Sequence, residues 1–315
     1  MCGDGRVSRY RAGSAADAAR AVRFARQALR RVAHGPGVSP DTATVHAWLA
    51  ALGNRLDQAL LGDAGDHLGD GSVIVVPPGR LQAVPWALLP RLRSRAVSVS
   101  PSAASWLRTR QADAGMPGAA GRAGGRVVLV RGPGLVSGGA EVPLLAADYA
   151  ADARDGRHPP PVVLGGGTAT AERVLAALHG AGLAHVAAHG TFRADSPLFS
   201  ALQLDDGPLT VYDLERLHRG PRRLVLSSCD SGVTAPAGAD EVLGLASSLL
   251  PLGTTGIIAS VVPVHDAAVV PLMTALHQEL RAGATLPEAL TNVRPAPGAD
   301  PVAAAAGWSF ICLGA

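Results

Sequence analysis

The spacing of apolar and polar positions changes character near residue 72. Residues 15–34, "AADAARAVRFARQALRRVAH", set Ala, Val and Leu at helical spacing with Arg between them, and "GPG" ends the pattern. A second helix is predicted over about 41–61, with Trp48, Leu49, Leu52, Leu56 and Leu60 on one face. From residue 72 the helical period gives way to short apolar runs bounded by Gly and Pro. They are "SVIVVPPG", "RAVSVSPS", "RVVLVRGPG", "PPVVLGGG", "AHVAAHG", "RRLVLSSC", "GIIASVVPV" and "WSFICLGA". Helical patterns at 101–111, 170–180, 240–250 and 266–282 separate several of these runs. Strands apolar on both faces that alternate with helices predict an α/β domain around a largely parallel sheet. "MPGAAGRAGG" at 116–125 reads as a flexible surface loop and the favoured site of proteolytic nicking. No repeat of fixed period is present.

The stretch 242–264, "VLGLASSLLPLGTTGIIASVVPV", is long enough to span a membrane by length alone. Pro251, Gly253, Gly256 and Pro263 interrupt it, and β-branched residues fill its second half, so helix, turn and buried strand is the reading and no membrane span is expected. The N-terminus has no apolar core of a signal peptide, which makes the cytoplasm the expected location. The 315 residues are 48% hydrophobic and 17% charged, the mark of a globular chain with a full core. The net charge is +3, all of the positive charge is Arg, and no Arg cluster is interleaved with aromatics, so nucleic acid is not an expected partner. Three cysteines, Cys2, Cys229 and Cys312, have neither an even count nor CxxC spacing, which argues against a disulfide framework and a zinc site.

In a parallel sheet, functional groups gather at the carboxyl ends of the strands. "HVAAHGTFR" at 185–193 and "LVLSSCDSG" at 224–232 each run out into small residues at such an end and leave His189 and Cys229 there. Forty positions separate the two, room for one crossover between neighbouring strands. A nucleophilic thiol needs a base or a positive field nearby, and its partner can be distant in sequence. Gly190 permits close backbone approach, Gly232 a tight turn, and Ser227 and Ser228 keep the approach to Cys229 open. A lone cysteine is more often buried and inert, and Cys312, inside "FICLG", is assigned to the core. His185 is read as structural, whereas His265 and Asp266 are candidates for a rim.

The ordered set "HVAAHGTF", "SPLFSALQL", "VYDLERL", "RLVLSSCDSG", "ADEVLGLASSLLPLGTTGIIASVVPVHD", "AAVVPLMTALHQEL" and "WSFICLG" resembles the CHAT domain, a bacterial caspase-like family related to separase. Upstream, "SVIVVPPGRLQAVPWALLP" and "VSPSAASWL" resemble its N-terminal half, so the likeness covers about 41–315. It implies a caspase-like α/β/α sandwich with a mostly parallel central sheet and a short N-terminal helical segment. The segment is set at 1–70 and the CHAT domain at 71–315, split into halves at 71–165 and 166–315. The resemblance further implies a cysteine endopeptidase with Cys229 as nucleophile and His189 as acid/base. The backbone N–H groups of Gly190 and Cys229 would form the oxyanion hole. Its partners would be a dedicated protein substrate and a regulatory protein or upstream sensor, in signalling or defence, and the chemistry calls for no metal or organic cofactor.

The chain departs from the pattern in three places. Ser227 stands where caspases have Gln, so a preference for Asp at P1 is not implied. Val262 replaces an aromatic before the "PV-D" motif, and two helices replace long upstream repeats. A separase-like enzyme would hold a basic P1 residue with acid, for which Asp205, Asp206, Asp230, Asp240 and Glu241 are candidates, with Ser227 as a further substrate contact. The plainer reading makes Asp230 a turn cap and Asp240 and Glu241 a helix start. Two other functions stay open. One is a catalytically silent scaffold of the same fold; the other rests on "MCG", which resembles the start of N-terminal-nucleophile amidotransferases acting through Cys2. The Gly-rich "LGGGTATAERVL" lacks the Lys of a phosphate-binding loop, and Thr168 or Thr170 as N-cap, with Glu172 in the first turn, accounts for it.

Overall fold

A computed structural model describes residues 2–3, 5–11, 13–34, 41–114, 125–157, 159–191, 196–227, 248–296 and 298–314. The chain opens with two short strands, β1 (Cys2–Gly3) and β2 (Arg6–Val7), paired antiparallel. The helices α1 (Ala15–His34) and α2 (Thr42–Leu60) follow. Their inner stripes are mostly apolar: Val22, Ala25, Leu29 and Ala33 of α1 and Val45, Leu49 and Leu56 of α2 are buried, and the one buried charge among the described residues of the two helices, Asp57 of α2, is paired with Arg91 at 3.0 Å. The apolar face expected for α2 divides in two, because Trp48 turns away from this stripe and is 40% exposed.

The eight apolar runs become the eight strands of one sheet. They are β3 (Val73–Val75), β4 (Val97–Val99), β5 (Val127–Arg131), β6 (Val162–Leu164), β7 (Leu183–Ala187), β11 (Arg223–Leu226), β12 (Gly256–Ser260) and β13 (Phe310–Gly314). Their order across the sheet is β3-β4-β13-β12-β11-β7-β5-β6. All neighbours run parallel except β12 and β13, which are antiparallel. Central β7 is buried at every position, as a parallel strand covered on both faces must be. A smaller antiparallel sheet of β8 (Gly190–Thr191), β9 (Ala201–Leu204) and β10 (Gly207–Thr210) leaves the carboxyl end of β7.

The remaining helices are α3 (Ala103–Ala114), α4 (Glu141–Arg154), α5 (Ala171–Leu178), α6 (Val211–Leu214), α7 (Asp266–Ala282), α8 (Leu286–Asn292) and α9 (Pro301–Ser309). The crossovers β5–α4–β6 and β6–α5–β7 step in opposite directions along the sheet, so right-handed connections place α4 and α5 on opposite faces. On the α4 face, α7 packs against α4, α9 against α7, and α1 and α2 against α9. Arg26 of α1 donates to the Val261 carbonyl at 2.9 Å, and the His46 ring of α2 bonds the Ala299 carbonyl at 2.8 Å. The result is the α/β domain that the apolar runs predict, in the α/β/α sandwich arrangement that the resemblance implies. The stretch 242–264 divides as predicted where it is described: a turn at Leu250–Leu252, Gly253 with φ +91°, then β12. Among the described residues no helix is long and apolar enough to cross a membrane. The predicted helix at 240–250 and the loop at 116–125 lie almost wholly outside the described residues.

Candidate active site

The sheet brings two strand ends side by side. Register pairs Val186 of β7 with Leu226 of β11, and the Ser227 N–H donates to the Val186 carbonyl at 3.1 Å. The His189 carbonyl accepts from Gln203 N–H at 2.8 Å, which ties the end of β7 to the smaller sheet. On the other side, Gly132 N–H donates to the Ala187 carbonyl at 2.7 Å. Any Cβ at Gly132 would sit 2.5 Å from the Gln203 carbonyl oxygen and 2.9 Å from Ala188 Cβ, so three segments meet there only because the residue is glycine.

The loop after Gly132 sets the orientation of the histidine ring. His189 Nε2 lies 3.0 Å from the Gly134 carbonyl oxygen, and Gly134 reaches this position with φ +74°. A carbonyl only accepts, so Nε2 carries the proton and the neutral ring has its lone pair on Nδ1. Nδ1 is shielded from solvent and has no hydrogen-bond partner among the described residues. The half-buried ring therefore offers one unshared proton acceptor at the carboxyl end of the sheet.

Beneath this point runs a buried chain of polar side chains on the α4 face. Ser227 Oγ donates to Glu141 Oε1 at 2.8 Å and lies 3.2 Å from His185 Nε2. His185 Nδ1 lies 3.1 Å from His277 Nε2, and His277 Nδ1 lies 3.0 Å from the Tyr149 hydroxyl. The proton order follows from the carboxylate. Ser227 spends its one proton on Glu141, so His185 donates through Nε2, His277 donates to His185 Nδ1, and Tyr149 donates to His277 Nδ1. Burial pushes the Glu141 carboxyl up, but His185, its own backbone N–H and the Ser227 hydroxyl outweigh this and hold it below the ordinary value. Burial first, then the proximity of His185 and the charges of Arg223 and Arg281, push His277 well below the usual imidazole range, which keeps it neutral. Glu141 Oε2 has no hydrogen-bond partner among the described residues.

The residues singled out from the sequence are distributed as follows. Cys229, Asp230, Asp240 and Glu241 lie outside the described residues, as does Ser228. Gly190 opens β8, paired with Leu202. Ser227 is buried, with its hydroxyl turned inward to Glu141 and His185. Asp205 Oδ2 accepts from the N–H groups of Gly167 and Ala169, both at 2.8 Å, and Asp206 accepts from Ala171 N–H at the start of α5. Both carboxylates hold the Gly-rich loop, and Thr170 is the N-cap of α5. His185 is fully buried in the polar chain. Asp266 Oδ2 accepts from Ser137 N–H at 2.7 Å, anchoring the loop that carries Gly134, while His265 is the half-exposed N-cap of α7. Cys312 is a buried free thiol pushed up to about 12, chiefly by burial, which leaves it unreactive at neutral pH. Cys2 lies in β1, paired with Val7. No group of three His, Cys, Asp or Glu side chains among the described residues could hold a metal ion. Sequence reasoning missed Glu141, Tyr149, His277 and the Gly134 carbonyl. One signal was present: parallel β5 and β6 require a covering crossover, which makes "EVPLLAADYA" a helix with Glu141 in its first turn.

The CHAT domain family model matches residues 46–315. No curated protein matches the chain in sequence. Among solved structures, the separase–securin complex of Saccharomyces cerevisiae at 2.6 Å resolution is similar with a TM-score of 0.55 and 12% identity, over 87% of this chain and 17% of that one. The same complex at 3.0 Å resolution is similar with a TM-score of 0.53 and 11% identity, over 96% of this chain and 22% of that one. This chain thus spans about a fifth of the length of those neighbours, and the likeness shows the fold. The protein belongs to the CHAT domain family and has a caspase-like fold.

Proposed function

We propose that the protein is a cysteine endopeptidase in which Cys229 and His189 form the catalytic pair. The observation that carries this reading is the His189 ring: its Nε2–H is committed to the Gly134 carbonyl, and Nδ1 is left as a shielded acceptor without a described partner. Cys229 follows Ser227 by two residues, from a strand whose end is hydrogen-bonded beside β7. In this reading Nδ1 takes the thiol proton, the thiolate attacks the peptide carbonyl carbon, and the oxyanion is held by the backbone N–H groups of Gly190 and Cys229. His189 then returns the proton to the leaving amine, and water, deprotonated at the same Nδ1, hydrolyses the thioester. The Gly134 carbonyl keeps the ring in the tautomer this requires. None of these steps needs a metal or an organic cofactor.

The substrate in this reading is a protein met in the bacterial cytoplasm, in a signalling or defence role. The structural neighbours are complexes of separase with securin, which supports a protein as partner. With Asp205 and Asp206 committed to the Gly-rich loop and Ser227 turned inward, the proposal of a basic P1 residue rests on Asp230, Asp240 and Glu241.

Alkylation with iodoacetamide across pH 5 to 9, read by peptide mass spectrometry, tests the pair. Cys229 is expected to react rapidly at neutral pH, and about tenfold or more slowly in His189→Ala, because the thiolate loses its partner. Cys312 serves as the internal control and stays unlabelled in the folded protein. A Cys229 that reacts like an ordinary thiol and ignores His189 would leave a silent scaffold as the better reading.

A further inference from the structure

The outer faces of α1 and α2 form an open groove that the proposed chemistry does not use. Asp17, Arg20, Ala21, Phe24, Ala28 and Arg31 of α1 face Trp48, Leu52, Arg55 and Ala59 of α2 across a volume of about 700 Å³. The spacing on α1 repeats at three and four residues over fourteen positions, so the groove runs the length of about four helical turns, roughly 20 Å. The helices are antiparallel here: Ala59 lies beside Gly13 at the start of α1, and Trp48 lines the same groove as Arg31 near its other end.

Three features of the groove point to a bound helix. Its floor is made of small residues, Ala21, Ala28 and Ala59, which let another backbone approach closely. Phe24 is 65% exposed and Trp48 40% exposed within it, in a chain with only four Phe and four Trp. Solvent-facing aromatics on one concave apolar surface are the usual anchors of a protein interface. The charge around them is positive: Arg20 is paired with Asp17, while Arg31 and Arg55 have no ion-pair partner among the described residues. A flat anionic membrane would contact the helix crests but could not fill a channel between two helices, whereas a third helix would fill it. The groove also depends on α1, which lies upstream of the family match at 46–315.

We infer that the α1–α2 groove is a docking site for an acidic amphipathic helix of a partner protein. Apolar side chains of that helix, spaced i, i+3/i+4 and i+7, cover Phe24, Leu52 and Trp48. Its flanking Asp or Glu side chains pair with Arg31 and Arg55. Both aromatics are removed from water on binding, and the carboxylates fix the orientation and favour acidic over basic flanks, since like charges facing Arg31 and Arg55 are penalised.

The test uses the full chain and three fluorescein-labelled 18-residue peptides with one Leu stripe and flanks of Glu, Gln or Lys. Fluorescence anisotropy is expected to rank them Glu, then Gln, then Lys. Phe24→Ser is expected to weaken the Glu peptide by about tenfold or more, the loss of one interface anchor. Phe24 is exposed, so its thermal unfolding stays at the wild-type midpoint. Arg31→Glu with Arg55→Glu is expected to reverse the ranking. Equal binding of all three peptides, or binding indifferent to Phe24→Ser, overturns the inference. Two controls name other occupants: a dimer in sedimentation that Phe24→Ser dissociates would assign the groove to a second copy. Phosphatidylserine vesicles bound in preference to every peptide would assign it to a lipid surface. Either result overturns the partner helix.

Discussion

At the scale of single residues, the polar chain under the strand ends makes a prediction about pH. His277 is fully buried and its pKa is pushed well below the ordinary value, first by burial and then by His185, Arg223 and Arg281. In the unfolded chain the same imidazole takes up a proton below about pH 6.5. A group whose folded pKa is depressed contributes stability above its unfolded pKa and loses it as pH falls. His277 should therefore remove up to about 1.4 kcal/mol of stability per pH unit below about pH 6.5, until it protonates in the folded state. His277→Gln is the informative change, since an amide can donate to His185 and accept from Tyr149 without titrating. Urea denaturation is expected to show the variant about 1–2 kcal/mol less stable at pH 7, the scale of imperfect buried hydrogen bonds, and nearly equal to wild type at pH 5. Parallel stability curves would mean that His277 already carries a proton in the native state. The sequence reading of His185 as structural agrees with its place in this chain. What no spacing rule could supply is the partner order, because Glu141, His185 and His277 are more than forty residues apart from one another.

At the scale of elements, α4 and α7 are held by charge as well as by packing. Arg281 of α7 donates from Nε to Asp152 Oδ2 at 2.6 Å and from Nη2 to Asp152 Oδ1 at 2.9 Å, and its Nη1 lies 3.2 Å from Asp148. Asp152 is buried while Arg281 reaches solvent, so the two ends of the pair are not equivalent. Arg281→Met removes the two-point partner of a buried carboxylate, which Arg157 alone cannot replace in geometry, and should cost about 2–4 kcal/mol. Asp152→Asn leaves an arginine that keeps Asp148 and water, and should cost about 1–2 kcal/mol. Thermal melts that reverse this order would contradict the burial asymmetry. Elements differed in how plainly the sequence announced them. Every apolar run from 72 onward became a strand of the main sheet because short runs of Val, Ile and Leu leave few alternatives, although the edge strands β3 and β6 are only partly buried. The helices at 15–34 and 266–282 matched residue for residue. α4 was hidden by Pro143 near its start and α9 by an Ala run without periodicity. The hairpin of β9 and β10 had a turn signal in Asp205–Asp206–Gly207, but its strands are too short and too mixed in polarity to stand out.

At the scale of the whole molecule, strand order and the antiparallel step at β13 were not legible, because neighbours in a parallel sheet are chosen by crossovers and not by local pattern. The candidate site was legible where strand ends could be read, at His189, and illegible where the loop from Gly132 to Ala140 supplies a carbonyl from another strand. The sequence sets the two N-terminal helices apart from the rest at residue 70, yet their inner side chains join the sheet's own hydrophobic cluster. Val22, Leu29, Leu49 and Leu56 are in one contiguous cluster with Leu129, Val186, Ile258 and Phe310. A helix whose burial is shared in this way should not open alone. Native-state hydrogen exchange is expected to give the slowest amides of α1 the same opening free energy as those of β7 and β12, with the same dependence on denaturant. The groove sharpens the expectation, since its outer face adds nothing to this protection until a partner occupies it. If α1 exchanges several kcal/mol faster than the sheet, the helices are a separate cooperative unit, and the docking groove would then form and dissolve independently of the domain it is attached to.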